Sequence, residues 1–334
     1  MTLKPTTDRY VLALGCTSIA LALALTMALP GRFADADNLA SMSVQLAELG
    51  MFSVAMALAL LIGGIDLSIV SVANLSSLCA ALCMRHLDAL ATGPMGAATL
   101  LGAGLLVALS VGALVGLFNG LLIHSWGVPS ILATLGTMTL VMGIAMGLTN
   151  GSSVSGLPEA LGDIGNSTVA GLPIAFVVFL LVWLLAQSVC SKTAFGTNMR
   201  LLGTSHKVAH FSGIATGKVI VRTHIATAMI AALAGFMNLL RTSSANPEYG
   251  QTYVLLALLV VVLGGIAVTG GAGKLWGVLW ALVILQLLST GFNMLLLNVS
   301  DGNFFRDFVW GLLLLSTMAI TAVLNKRPRK TPPI

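Results

Sequence analysis

The stretch AATLLGAGLLVALSVGALVGLFNGLLI, residues 97–123, runs without one charged side chain. As an α-helix it would be about 40 Å long at 1.5 Å per residue, enough to cross the roughly 30 Å hydrocarbon core of a bilayer. Comparable apolar stretches recur along all 334 residues. The mean hydropathy is +1.00, with 57% of residues hydrophobic and only 8% charged. A soluble domain is about 45–50% apolar and about 25% charged. A membrane β-barrel would show alternating segments of roughly 10 residues, and no such pattern is visible. The chain therefore reads as an all-α polytopic membrane protein.

Working outward from that stretch, ten spans are expected at about 11–30, 44–62, 67–84, 97–123, 130–148, 171–189, 221–240, 253–268, 275–297 and 304–323. The first follows Lys4 and Arg9 and resembles a signal peptide, with Ala34-Asp35-Ala36 in the place of a cleavage site. Its apolar stretch is longer than the roughly 7–15 residues of a signal-peptide core, so an uncleaved span is the expectation. Placing both termini in the cytoplasm assigns twelve of the sixteen basic residues to the cytoplasmic side, and only Arg32, Arg85, Arg241 and Arg306 to the outer side. That is the positive-inside pattern. Of the eleven acidic residues, all but Asp8 and Asp66 are assigned outside. Topology thus accounts for the basic excess, and no nucleic-acid partner is needed to explain it.

Lipid provides no hydrophobic drive for helices to associate, so close approach through small residues matters. Gly112, Gly116 and Gly120 recur every fourth residue in the fourth span, and Gly143, Gly147 and Gly151 do so in and just beyond the fifth. The short turn HSWGVPS (124–130) joins them, which predicts a tightly packed glycine-faced hairpin. Asn74, Asn119, Asn238, Gln286 and Asn293 are read as interhelical hydrogen-bonding residues. Cys79 and Cys83 share a helix face, but no histidine or second cysteine pair with ligand spacing accompanies them, so they are read as packing and no metal is expected.

Coupling to an ion gradient calls for ionisable groups at membrane depth, and the expected spans are nearly free of them. Asp66 lies at a span junction, His224 near a cytoplasmic edge, and Arg306 and Asp307 near the outer edge. GIATGK (213–218) and GGAGK (270–274) bring glycine and lysine together, but neither has the spacing of a phosphate-binding loop. No catalytic constellation stands out, so the chain is expected to be no enzyme and to carry no cofactor.

The one long cytoplasmic connection spans 190–220. Segment 204–212, TSHKVAHFS, suits a short helix capped by Thr204 or Ser205 and ended by Gly213. Its basic and apolar faces fit either a protein-docking element or a basic loop that sets topology. In GGIDLSIV (63–70), Gly63 and Gly64 can break a helix, and Asp66 or Ser68 can cap the next one through its free N–H groups. Asp66 is read as a cap and hinge before a direct substrate contact.

GGIDLSIV (63–70), GVPSILATLGTMTLVMGIA (127–145), KTAFGTNMRLLGTSHKVAHFSGI (192–214) and VLGGIAVTGGAGKLWG (262–277) occur in an order that resembles the ribose-type monosaccharide ABC import permeases. That family also includes permeases for other sugars and for the autoinducer-2 signal. The resemblance implies one transmembrane permease domain of about ten spans over 1–334, in a bacterial inner membrane. It implies a second permease subunit, identical or related, a cytoplasmic ATP-binding subunit and an extracytoplasmic sugar-binding protein. The block 192–214 would be the ATPase-coupling loop, with Gly196, Asn198, Arg200, Leu202, Gly203, Lys207, Phe211 and Gly213 as its candidate residues. Gly63, Gly64, Asp66, Ser68, Asn74 and Asn119 are candidates for a helix break or the translocation path. The chain departs from the family pattern at Ile69-Val70, at Gly203-Thr204-Ser205 and at Ala209-His210. The competing reading is a stand-alone carrier or facilitator for a small neutral solute, which would work without ATP.

Overall fold

The computed structural model describes residues 5–87, 93–157, 159–296, 308–312 and 315 of the chain. In chain order its helices are α1 (Pro5–Ala28), α2 (Ala36–Leu61), α3 (Ile69–Leu87), α4 (Gly93–His124), α5 (Ser130–Thr149), α6 (Glu159–Gly165), α7 (Ile174–Lys192), α8 (Ala194–Thr204), α9 (His206–Phe211), α10 (Thr216–Thr242), α11 (Tyr253–Leu263) and α12 (Leu275–Leu295). Among the described residues, four two-residue strands pair antiparallel: β1 (Val154–Ser155) with β4 (Ser244–Ala245), and β2 (Thr168–Val169) with β3 (Leu172–Pro173). Among the described residues, eight helices are long and apolar enough to cross a membrane. The chain is thus an all-α polytopic membrane protein.

The eighth expected span, 253–268, differs. Only Tyr253–Leu263 is helical, 11 residues or about 16 Å, which is half a bilayer core. Segment 246–252 ahead of it has no helix or strand. The tenth expected span, 304–323, lies largely outside the described residues.

The bundle is organised around α2. Every residue from Ala47 to Leu61 is buried, because from Leu49 to Leu61 the helix is apolar on every face apart from Ser53 and can only sit inside. Helices α3, α7, α10, α11 and α12 pack around it. The peripheral α1 lies against α12, with Gly15 over Trp280 and Gly291 over Leu25, and the Tyr10 hydroxyl donates to Leu263 O at 2.7 Å.

The glycine ladder of α4 does pack closely, but against α10. A Cβ on Gly112 would stand 2.7 Å from the Ala232 Cβ, and one on Gly120 would stand 2.7 Å from the Val221 Cα. The expected α4–α5 glycine hairpin is therefore corrected. Gly143 and Gly147 have no atom within 4 Å of a would-be Cβ. Residue spacing sets which side of a helix is small, whereas the course of the chain sets what it meets.

Candidate functional site

At the end of the bundle that carries α8 and α9, four stretches far apart in sequence converge. Helix α2 stops where Gly63 takes φ +80°, in the left-handed region open to glycine. The Gly63 and Gly64 N–H groups bond back to Leu60 O and Ala59 O at 2.8 and 3.0 Å, satisfying carbonyls at the helix end. The start of α5 then holds the loop that follows. The Leu67 N–H donates to Thr134 Oγ1 at 3.1 Å, and Ile65 N–H to Ser130 Oγ at 3.4 Å.

Gly270, at φ +88°, meets this loop from the α11–α12 connection. A Cβ there would lie 2.6 Å from the Gly63 Cα and 3.0 Å from the Gly203 Cα at the end of α8. Gly271 N–H donates to Leu61 O at 3.0 Å. Arg200 Nη1 donates to Gly273 O at 2.6 Å. The α2–α3 and α11–α12 connections and the end of α8 thus touch backbone to backbone at Gly63, Gly270 and Gly203. Each of the four quoted sequence blocks contributes to this one junction.

Asp66 sits inside the junction, 1% exposed. Its Oδ1 accepts from Ser68 N–H at 3.0 Å and from Ser68 Oγ at 2.6 Å, which closes a tight turn just before α3 begins at Ile69. Its Oδ2 lies 3.4 Å from Nδ1 of the fully buried His224 and 3.2 Å from Thr227 Oγ1, both on α10. Asn119 Nδ2 on α4 donates to Ser68 Oγ at 2.9 Å. Burial opposes ionisation of Asp66, but the bonds from His224 and Ser68 outweigh it and hold the carboxyl below its ordinary range. His224 Nε2 and Asn119 Oδ1 are buried without a protein partner. Asp66 bonds Ser68, the residue before α3, and not the free N–H groups of the helix's first turn. A histidine 158 positions away encloses Asp66. Beside the cluster a cavity of about 330 Å³ is lined by Gly63, Gly64, Ser130, His206 and His224 among others.

The loop 190–220 folds as two helices rather than one. Helix α8 is capped by Thr193, whose Oγ1 accepts from Gly196 N–H at 3.2 Å. Gly196, Met199 and Leu202 face inward, and Asn198 is half-buried. Helix α9 is capped by Ser205, not Thr204, with Val208 N–H at 3.3 Å, and it ends before Gly213 at φ +76°. Lys207, Val208 and Phe211 point outward, Phe211 being 88% exposed. The candidate coupling residues therefore divide. Gly196, Leu202 and Gly203 hold the loop to the bundle, as does Arg200 through Gly273, while Lys207, Phe211 and Gly213 lie at the surface.

Asn74 belongs elsewhere. Its Nδ2 donates to Pro247 O at 3.1 Å and Tyr249 O at 2.9 Å, in the non-helical segment before α11. Nearby, Glu48 on α2 is only 8% exposed. Its Oε1 accepts from Asn238 Nδ2 at 2.9 Å, and its Oε2 lies 3.7 Å from Arg241 Nη2. Sequence reading placed Glu48 with the outer-side acids. Twelve residues separate it from Ala36 and thirteen from Leu61, about 18 and 20 Å, so it lies midway along a spanning helix. Its presence inside the expected span 44–62 was the available signal.

A family model described as branched-chain amino acid transport system / permease component matches residues 38–318. The ribose import permease protein RbsC of Bacillus subtilis is 31% identical over 286 residues, covering 85% of this chain and 84% of the relative. The autoinducer 2 import system permease protein LsrD of Yersinia enterocolitica is 31% identical over 253 residues, covering 74% and 73%. RbsC of Haemophilus influenzae is 30% identical over 268 residues, covering 79% of each chain. With its four sequence blocks joined at one end of a helical bundle and a match over most of its length, this chain belongs to that family of transport-system permease components.

Proposed function

We propose that the chain is the membrane-spanning subunit of an ATP-driven importer for a monosaccharide or a polyol of similar size. It would work beside a second permease copy or a related chain, a cytoplasmic ATPase and an extracytoplasmic binding protein. The α8–α9 end and both termini would face the cytoplasm, in the inner membrane of a bacterium. The observation that carries this reading is the build of α8–α9. An exposed basic and apolar face at Lys207, Val208 and Phe211 is mounted on a helix pair anchored directly to two membrane loops. A force on that face would reach the α2–α3 and α11–α12 connections through backbone contacts, which have little slack. The relatives whose names state a cargo carry ribose or autoinducer 2. They favour a polyhydroxylated solute over the amino acid in the family description.

The test is reconstitution with the ATPase and binding protein from the same operon. ATP-dependent uptake of a sugar, lost in Lys207→Glu/Phe211→Ala while the permease remains monodisperse, is the expected result. Uptake by this chain alone, unaffected by ATP, would overturn the reading in favour of a stand-alone carrier.

A further inference from the structure

Segment 246–252 has neither helix nor strand, yet it reaches membrane depth. The Tyr253 ring that follows it packs on Phe52 with centroids 5.8 Å apart. Phe52 is only nine residues from the Leu61 end of α2, about 14 Å. Non-helical backbone at this depth is tolerated where it is buried in protein or lines a cavity. Here it does line one. A cavity of about 220 Å³ lies between α2, α3, α10 and this segment, with Glu48, Phe52, Asn74, Ser77, Thr242 and Tyr249 on its walls. At roughly 30 Å³ per water it has room for about seven, a scale suited to one sugar ring and not to two.

The wall groups contributed by α3 and α10 face the cavity mainly as acceptors. Ser77 Oγ donates to Asn74 O at 2.9 Å, and the single Thr242 hydroxyl hydrogen is shared between the Asn238 and Ser244 carbonyls, each 2.9 Å from Oγ1. The Asn74 amide hydrogens point at Pro247 O and Tyr249 O, and Asn238 Nδ2 donates to Glu48. These donors are engaged, so the Ser77 and Thr242 hydroxyls offer the cavity lone pairs, while the Ser153 and Ser244 hydroxyls on the same wall keep their own hydrogens. Glu48 adds a carboxylate with about four acceptor sites, met by Asn238, Arg241 and the Tyr249 hydroxyl. A ligand that fits must bring several donors of its own. An ammonium group would do so, and a metal cation could take the lone pairs directly, but Arg241, 3.7 Å from Glu48, already answers the carboxylate charge. A neutral polyol brings hydroxyl donors without charge, and Phe52 supplies an apolar face for its C–H groups.

We propose that this cavity, within a single subunit, is a binding site for a neutral monosaccharide-sized polyol, with Glu48 as its acceptor anchor and Tyr249 closing one side. The assignment rests on the importer reading above and deepens it. The test uses tritiated D-ribose, D-xylose and D-galactose in two assays: equilibrium binding to the detergent-solubilised wild-type chain, and ATP-driven uptake by the reconstituted complex. Glu48→Gln replaces an acceptor by a donor, and Ser77→Val removes a lone-pair oxygen far from Arg241. Each variant that elutes as a monodisperse peak is expected to bind the preferred sugar at least ten-fold more weakly and to raise the half-saturating concentration for uptake. If Glu48→Gln does not fold, Ser77→Val carries the test. Unchanged binding in a folded variant, or no binding of any of the three sugars by wild type, overturns the cavity assignment. Wild-type binding without ATP-driven uptake overturns the importer reading and leaves the site standing.

Discussion

Helices α4 and α5 both carry glycine at every fourth position, and in sequence the two ladders are hard to tell apart. On α4 the ladder is closed by α10: the backbone of His224 and Ile225 crosses directly over Gly116, with the Ile225 Cα 2.7 Å from where a Cβ would be. On α5 nothing lies within 4 Å of Gly143 or Gly147, and the neighbouring Leu140, Ile144 and Leu148 are exposed. The repeat therefore marks a surface that can be approached closely, and the partner is decided by the rest of the chain. Within one subunit, the α4 ladder is core and the α5 ladder is surface.

That contrast can be broken by substitution. Gly116→Leu should have the largest effect, because the side chain has only α10 backbone to displace. Overpacking of this kind costs about 3 kcal/mol or more, and loss of monodisperse protein on size exclusion would show it. Gly270→Val should follow, at about 2–3 kcal/mol. It combines a left-handed φ with a contact on the Gly63 Cα, and thermal unfolding in detergent would register the drop. Asp66→Asn should cost about 2 kcal/mol, since it leaves His224 Nδ1 facing an amide in a buried cluster. Here His224→Gln should restore part of the loss if the pair is what matters.

Smaller effects come from the surface. Lys207→Glu with Phe211→Ala should leave stability within about 0.5 kcal/mol while weakening co-purification with the ATPase at least ten-fold. Gly147→Ala should be smallest of all. It should stabilise the isolated chain by up to about 1 kcal/mol, because alanine suits a helix better than glycine. A destabilisation by Gly147→Ala matching that of Gly116→Leu would erase the distinction between the two ladders.

The fold class was legible because membrane insertion is a property of local composition. Residues 97–123 announce a spanning helix regardless of what surrounds them. Some short-range chemistry was legible too: the α9 cap at Ser205 acts on Val208, three residues away. Three features were not. Helix α11 begins where the expected span begins but ends at Gly264, with Gly265 at φ +82° and the Tyr10 hydroxyl, more than 250 positions away, bonded to Leu263 O. Glu48 was hidden by counting charges per connection instead of per span. Arg200 looked like a surface docking residue in an exposed basic loop, and instead it reaches inward to Gly273.

The sequence by itself determined a polytopic helical protein, the helix stops at its glycine-rich loops and the residues free to be small. These depend on hydropathy and backbone preference, which are local. Only the tertiary structure decided that Gly63, Gly203 and Gly270 meet at one point. It also decided that Asp66 is enclosed by His224 and Thr227, and that Glu48 borders a cavity with Asn74 and Asn238. Each of those contacts joins residues separated by at least 26 positions. Their energy depends on ångström-scale approach, which no local pattern encodes.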